Sequence, residues 1–239
     1  MVPSLDALKV KVFADGADKS RILELYANKA VKGFTTNPTL MKQAGVTDYE
    51  AFAKDILASI SDRPISFEVF SDDFADMERQ ALKIASWGAN VFAKIPITNT
   101  KGESAGPLIR RLVQKGVQLN VTAIFTIEQI DISVDALRGT KHSYVSVFAG
   151  RIADTGRDPL PYMRHGVSAC NAAGGMELIW ASPREMLNIF QADEIGCHVI
   201  TVTPDIIKKL TATGKDLGEF SLDTVKMFYS DGAAAGFKL

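Results

Sequence analysis

Eight short runs of β-branched and aromatic residues recur along the chain, and this recurrence limits the available folds more than any other feature. The runs are VKVFAD (10–15), GFTTN (33–37), ISFEVF (65–70), VFAKIPI (91–97), LNVTAIF (119–125), YVSVFAG (144–150), MELIWAS (176–182) and HVITVT (198–203). They begin roughly 22 to 32 residues apart, room for a strand, two short loops and a crossover helix, as parallel pairing requires. Amphipathic helical periods fill the gaps over 18–28, 48–60, 73–88 and 103–116. Gly88 and Gly116 stand where left-handed caps are expected to end two of these helices.

Eight βα units either close into a barrel or wind into an open sheet. An open dinucleotide-binding sheet is expected to carry a glycine-rich turn after its first strand, and ADGAD (14–18) lacks the G-x-G-x-x-G spacing. The expectation is an α/β fold, a single (β/α)8 TIM barrel spanning 1–239. Its 239 residues are close to the roughly 250 typical of that fold. Residues 221–239 read as an additional C-terminal helix and a small-residue tail, with Val225, Phe228 and Tyr229 expected to cover the barrel or a neighbouring subunit.

A formal net charge of −1 gives no field to recruit nucleic acid or an acidic membrane, and no run approaches the ~18 apolar residues of a membrane span. The N-terminal stretch has acidic residues early and no apolar core, unlike a signal peptide. Cys170 and Cys197 show no metal-type spacing and are expected as reduced thiols in a cytoplasmic protein. His142, His165 and His198 stand alone in sequence, so neither a zinc site nor any other cofactor is expected.

In a (β/α)8 barrel the active site forms at the C-terminal ends of the strands. Polar residues late in the runs are Asp15, Thr36 and Asn37, Glu68, Lys94, Asn120 and Thr122, Ser146, and then Ser182 and Arg184; the last run supplies none as strong. Lys94 is the hardest to explain by structure alone, because VFAKIPI sets an ammonium inside an apolar strand. Burial of an unpaired charge costs several kcal/mol or drives the amine toward its neutral, nucleophilic form. The alternative is a structural ion pair with Glu68 or Asp15, and pairing is compatible with chemistry.

A neutral lysine attacks carbonyls to form imines. Asp15 and Glu68, from different strands, suit the proton transfers such chemistry needs. Asn37, Asn120, Thr122 and Ser146 suit the orientation of substrate hydroxyls and a water. Arg184 before a helix, and Arg151 after the sixth run, suit a phosphate or a surface salt bridge.

Several long blocks carry a resemblance to a known family. GFTTNPTLM (33–41), FAKIPIT (92–98), LNVTAIFT (119–126), YVSVFAGRIADTG (144–156) and ASPRE (181–185) resemble, in order, the signature blocks of the transaldolases, particularly the small-subunit branch that includes the fructose-6-phosphate aldolases. The resemblance implies a metal-free Schiff-base mechanism: Lys94 bonds the ketose, Asp15 handles the proton in carbon–carbon cleavage, and Glu68 with Thr122 holds the water of imine formation. Asn37, Asn120 and Ser146 match positions binding the retained dihydroxyacetone unit, and Arg151, Ser182 and Arg184 match a phosphate site. The implied partners are sugar phosphates and further copies of the chain.

The aldolase branch resembles this chain but carries Gln and Tyr where Glu68 and Phe148 stand, which implies group transfer here rather than free release. Val147 and Pro183 depart from the family's usual Pro and its aromatic or aliphatic residue, beside the binding positions.

Overall fold

A computed structural model describes residues 7–238. Its strands are β1 (Lys11–Asp15), β2 (Val31–Thr35), β3 (Ile65–Glu68), β4 (Val91–Pro96), β5 (Leu119–Ile124), β6 (Ser143–Val147), β7 (Met176–Trp180) and β8 (Val199–Val202). All neighbours are parallel, and the strands close in chain order, β8 returning to β1. Helices α1 (Lys19–Ala27), α2 (Pro38–Gln43), α3 (Tyr49–Ser59), α4 (Phe74–Ala85), α5 (Gly106–Gln114), α6 (Ile127–Ala136), α7 (Ala149–Ala153), α8 (Leu160–Ala173), α9 (Leu187–Glu194) and α10 (Pro204–Lys209) follow the strands. The expected (β/α)8 barrel is therefore what the chain forms.

Strand period two sorts the barrel interior into layers. Phe13, Gly33, Phe92, Tyr144, Ile179 and Val199 face inward, and the residues two further along are Asp15, Thr35, Lys94, Ser146, Ala181 and Thr201. The first set is a buried apolar plug, with Tyr144 5.6 Å from Phe13 edge-on and 4.6 Å from Phe92. Phe13 fits because β2 carries glycine opposite it: a Cβ on Gly33 would lie 2.6 Å from the ring. The second set is the polar layer above. Below the plug, Lys11 pairs with Glu177 at the barrel's other end. A larger apolar layer, including Ile56, Ile84, Leu112, Val145 and Ile189, seals strands against helices.

The strand ends differ from the sequence expectation because the next element claims their residues. β2 starts and stops earlier than GFTTN, since Asn37 caps α2 by accepting from the Leu40 N–H at 3.0 Å ahead of Pro38. β6 stops at Val147, and Ala149–Ala153 become α7, so the end of YVSVFAG is helical and Arg151 continues that helix. Gly116 follows α5 at φ +76°, as expected of a cap. Gly88 does not cap α4, which ends at Ala85 with Ser86 Oγ donating to the Lys83 carbonyl at 2.6 Å. Its glycine serves space instead, for a Cβ there would meet Asn90 Oδ1 at 3.0 Å.

The additional helix, α11 (Leu217–Ala234), starts four residues earlier than read, with the Asp216 carboxylate accepting from the Gly218 and Glu219 N–H groups. It does not cover its own barrel: Val225, Phe228 and Tyr229 are 59%, 65% and 80% exposed. Leu239, the end of the expected tail, lies outside the described residues. Among the described residues no helix is long and apolar enough to cross a membrane.

Cys170 and Cys197 are unpaired and buried, and burial pushes both thiols up to about 12. The histidines, solitary in sequence, meet partners in space. His165 pairs with Asp131 at 2.6 Å, His142 lies 3.7 Å from Glu177, and His198 meets Asn171 at 2.9 Å.

Candidate active site

The polar layer opens into a cavity of about 650 Å³ at the C-terminal ends of the strands. Lys94 lies at its base, 6% exposed, with Ala93 and Ile95 pointing away into the apolar layer between strands and helices. Its Nζ is 3.0 Å from Glu68 Oε2 and donates to the Thr36 carbonyl at 3.1 Å. Both readings of the buried cation thus meet at one place: it is paired, and it faces a cavity.

Asp15 ends β1, with β2 and β3 between it and β4, and lines the same cavity. Burial raises its carboxyl above the usual carboxylate range, against the pull of the Lys94 charge and the Thr35 hydroxyl, which donates to Oδ1 at 2.8 Å. Thr35 Oγ1 also lies 2.6 Å from Thr201 Oγ1, tying β1, β2 and β8 together beneath the carboxylate.

Thr122 brings a hydroxyl to the cavity from β5. Its Oγ1 is buried and has no hydrogen-bond partner among the described residues, an arrangement that costs about 1–3 kcal/mol unless something else bonds it. Next to it the β5–β6 register shifts, and Ala123 takes the left-handed conformation at φ +59°. Ser182, also in the lining, sits at φ +58°. Each non-glycine residue there costs roughly 1–2 kcal/mol, and such outliers gather at functional sites.

Asp15, Asn37, Glu68, Lys94, Thr122, Ser146, Phe148, Arg151, Ser182 and Arg184 all line this one cavity. Thr36 and Asn120 do not. Thr36 offers its carbonyl to Lys94 while its hydroxyl donates to the Ser66 carbonyl at 2.9 Å. Asn120 is fully buried below, accepting from Ser146 Oγ at 2.7 Å and donating to Ser66 Oγ at 2.9 Å. It orients Ser146 rather than facing the cavity.

The two arginines stand at the rim. The Arg151 guanidinium lies over the Phe148 ring, 5.2 Å from its centroid, and Phe148 in turn packs 5.7 Å from Phe125. Arg184 grips Asp154 with two N–H groups, Nε to Oδ1 at 3.0 Å and Nη2 to Oδ2, and holds that carboxyl below its ordinary range. The main-chain N–H groups of Arg184 and Glu185 are taken by Asn188 Oδ1, so the helix N-terminus expected beside Arg184 donates inward to its own α9. The close approach of α7 to this loop needs Gly150, where a Cβ would sit 1.6 Å from the Ser182 carbonyl oxygen.

The eighth strand is not silent, since Thr201 and Thr203 line the cavity, and Thr35 from β2 joins them. The nearest signal was their place at the ends of GFTTN and HVITVT, but short hydroxyls are common in strands. Among the described residues no group of three His, Cys, Asp or Glu side chains is arranged to hold a metal ion.

The likenesses to known proteins agree with this geometry. A "Probable transaldolase" from Thermoanaerobacter sp. (strain X514) is 33% identical over 232 residues, covering 96% of this chain and 100% of the relative. A second "Probable transaldolase", from Dehalococcoides mccartyi, is 33% identical over 202 residues, covering 84% of this chain and 90% of that one. Solved structures share the fold alone. A mutant tryptophan synthase alpha-subunit from Pyrococcus furiosus superposes with a TM-score of 0.58 at 10% identity, covering 92% of this chain and 96% of that one. A 3-keto-L-gulonate-6-phosphate decarboxylase from Vibrio cholerae does so at 0.53 and 14%, covering 85% and 89%. The profile of the family described as "Transaldolase/Fructose-6-phosphate aldolase" matches residues 12–238, which takes in every cavity residue and all of the barrel strands except Lys11 at the start of β1. With a barrel, a buried lysine paired with a carboxylate at the cavity base and relatives matched over nearly their whole length, the chain belongs to the transaldolase/fructose-6-phosphate aldolase family.

Proposed function

We propose that this chain transfers a dihydroxyacetone unit from a ketose phosphate, fructose 6-phosphate or an analogue, to an aldose phosphate such as erythrose 4-phosphate through a Schiff base on Lys94. The observation that carries the reading is the placement of Lys94 Nζ, buried at the cavity base and 3.0 Å from Glu68. Glu68 takes the ammonium proton, and the amine attacks the ketone carbon. The proton then goes to the carbinolamine hydroxyl, which leaves as water with Thr122 Oγ1 available to bond it.

Asp15 takes the proton of the hydroxyl beside the scissile bond. The bonding pair flows into the iminium to give an enamine, and the aldehyde fragment departs. The enamine carbon attacks the acceptor aldehyde, Asp15 returns the proton to the new hydroxyl, and water adds to the resulting iminium and expels the Lys94 amine, the reverse of its formation, to free the new ketose. A carboxylate whose pKa is raised by burial is a stronger base once ionised, which suits this role. In this reading Ser146 and Asn37, in the cavity lining, hold the three-carbon unit, and Arg151, Ser182 and Arg184, at its rim, hold the phosphate.

Glu68 and Phe148 favour transfer over release of free dihydroxyacetone, because Phe148 has no hydroxyl to assist a water. The unburied apolar face of α11 supports a homo-oligomer, which a native mass measurement tests. For the chemistry, borohydride reduction with fructose 6-phosphate is expected to fix a three-carbon adduct on Lys94 and none on a Lys94→Ala variant. Absence of the adduct, or its appearance on another lysine, removes the mechanism. Cleavage of the donor at an equal rate without an acceptor would make the protein an aldolase instead.

A further inference from the structure

β2 and β3 stop pairing just before the chemistry begins. Thr35 opposite Ser66 is their last register pair, and the Thr36 N–H donates to the Ser66 carbonyl at 3.2 Å before the chain turns into α2 at Asn37. In a parallel ladder alternate residues direct both main-chain groups to the same neighbour. Ser66 and Glu68 therefore face β2, while Val69 faces β4 and its N–H donates to the Lys94 carbonyl at 3.0 Å. The N–H and C=O of Glu68 point to an edge that the partner strand has left.

Both groups find one atom. The Tyr49 hydroxyl, at the first turn of α3, accepts from the Glu68 N–H at 2.8 Å and donates to the Glu68 carbonyl at 3.0 Å. A single side-chain oxygen stands in for the missing strand. Its ring is wedged edge-on against Phe67 at 6.2 Å and Phe70 at 5.1 Å, and tilted against Trp87 at 6.1 Å, so the oxygen has little freedom.

We infer that Tyr49 is a positioning residue for the reaction: by clamping the Glu68 main chain where β2 departs, it sets the carboxylate at hydrogen-bond distance from Lys94. The inference rests on the reading of Glu68 as a proton carrier in imine formation. It assigns a function to a residue that does not itself line the cavity and reaches it through the Glu68 main chain.

The test is the rate at which borohydride traps the Lys94 adduct with fructose 6-phosphate, followed by mass across pH. Tyr49→Phe keeps the ring and removes the clamp. Trapping is expected to slow by about tenfold to a hundredfold, the scale of a small misplacement of a catalytic group, with KM within about twofold and the pH profile shifted. Trp87→Phe is the structural control: it disturbs the same aromatic cluster without bonding Glu68, so it lowers the melting temperature and leaves trapping unchanged. Tyr49→His, which retains a donor, covers the case in which Tyr49→Phe does not fold, and its trapping is expected to fall below wild type. Either folded Tyr49 variant trapping at the wild-type rate with the wild-type pH profile overturns the inference. Wild-type protein that forms no adduct overturns instead the reading on which it rests.

Discussion

Lys94 Nζ and Glu68 Oε2 lie 3.0 Å apart, with side chains 8% and 17% exposed, on strands held in register as direct neighbours. An ion pair so little solvated is costly to break from one side, by roughly 3–5 kcal/mol, because the remaining charge has no water to turn to. Glu68→Gln keeps the volume and removes the charge. It is expected to lower kcat by about 10²- to 10⁴-fold, the range for loss of a general acid or base, and to lower the melting temperature. Adding Lys94→Met to it is expected to restore part of the lost stability while abolishing activity, because both charges then leave together. Thermal melts of the two singles and the double decide this, and strictly additive losses would show the pair to be uncoupled.

Asp15 is predicted to burden the fold. Burial raises its carboxyl above 3.8, so the folded state holds the proton more tightly than the unfolded chain does. Stability is then unaffected below about pH 3.8, falls as pH rises through the folded value, and stays reduced above it. Asp15→Asn mimics the protonated form. The variant is expected to melt higher than wild type at pH 7, with the difference closing as pH falls toward 3.8, while turnover drops by at least about 10²-fold. A lower melting temperature for the variant at pH 7 would show that the hydrogen bond from Thr35 and the Lys94 charge outweigh desolvation.

The barrel was legible because each strand and helix had to carry its own hydrophobic period before tertiary contacts formed. Lys94 was legible for the opposite reason, as a charge that broke such a period. Strand ends were not, since Asn37 leaves β2 to cap α2 and Phe148 leaves β6 to begin α7, and a run of apolar residues does not record which element claims its last member. Gly88 looked like a cap but fits Asn90, a contact invisible from spacing. Thr35, Ser66 and Thr201 are unremarkable strand residues until the barrel closes them onto Asp15 and Asn120. Arg184 reads as a phosphate ligand or a surface salt bridge, and spacing could not name its partner, because Asp154 lies 30 residues away on the turn after α7.

Glu177 separates stability from activity. It sits at the opposite end of the barrel from the cavity, where Lys11 donates to it at 2.6 Å and His142 lies 3.7 Å away. Burial works to raise its carboxyl, but the nearby His142 ring and the Lys11 ammonium, which is hydrogen-bonded to it, prevail and hold it down at about 2. The contribution to stability is therefore full above the ordinary value of 4.5 and is lost as pH falls from there through about 2. Glu177→Gln is expected to cost on the order of 1–2 kcal/mol at pH 7, since solvent reaches both partners and screens the pair, to flatten the acid limb of the stability profile, and to leave kcat within about twofold. Urea melts between pH 2 and 7 read the first two, and a steep acid limb surviving in the variant would place the titrating group elsewhere.

Gly150 is the residue whose replacement tests the rim. An alanine Cβ would fall 1.6 Å from the Ser182 carbonyl oxygen and 2.7 Å from its carbonyl carbon, and both are main-chain atoms with no rotamer to change. Either α7 or the 181–184 loop must move, and both carry residues of the proposed phosphate site, Arg151 on one and Ser182 with Arg184 on the other. Ser182 already sits at φ +58°, so little further distortion is tolerated there. Gly150→Ala is expected to destabilise the fold by at least about 2 kcal/mol, the scale of overpacking a close contact. In the protein that does fold, KM for fructose 6-phosphate is expected to rise by about tenfold or more, as for a lost charged hydrogen bond. The rate with unphosphorylated dihydroxyacetone donors is expected to change far less. Equal losses with both classes of donor would mean that the loop supports the barrel and not the anion, and would move the phosphate site away from Arg151, Ser182 and Arg184.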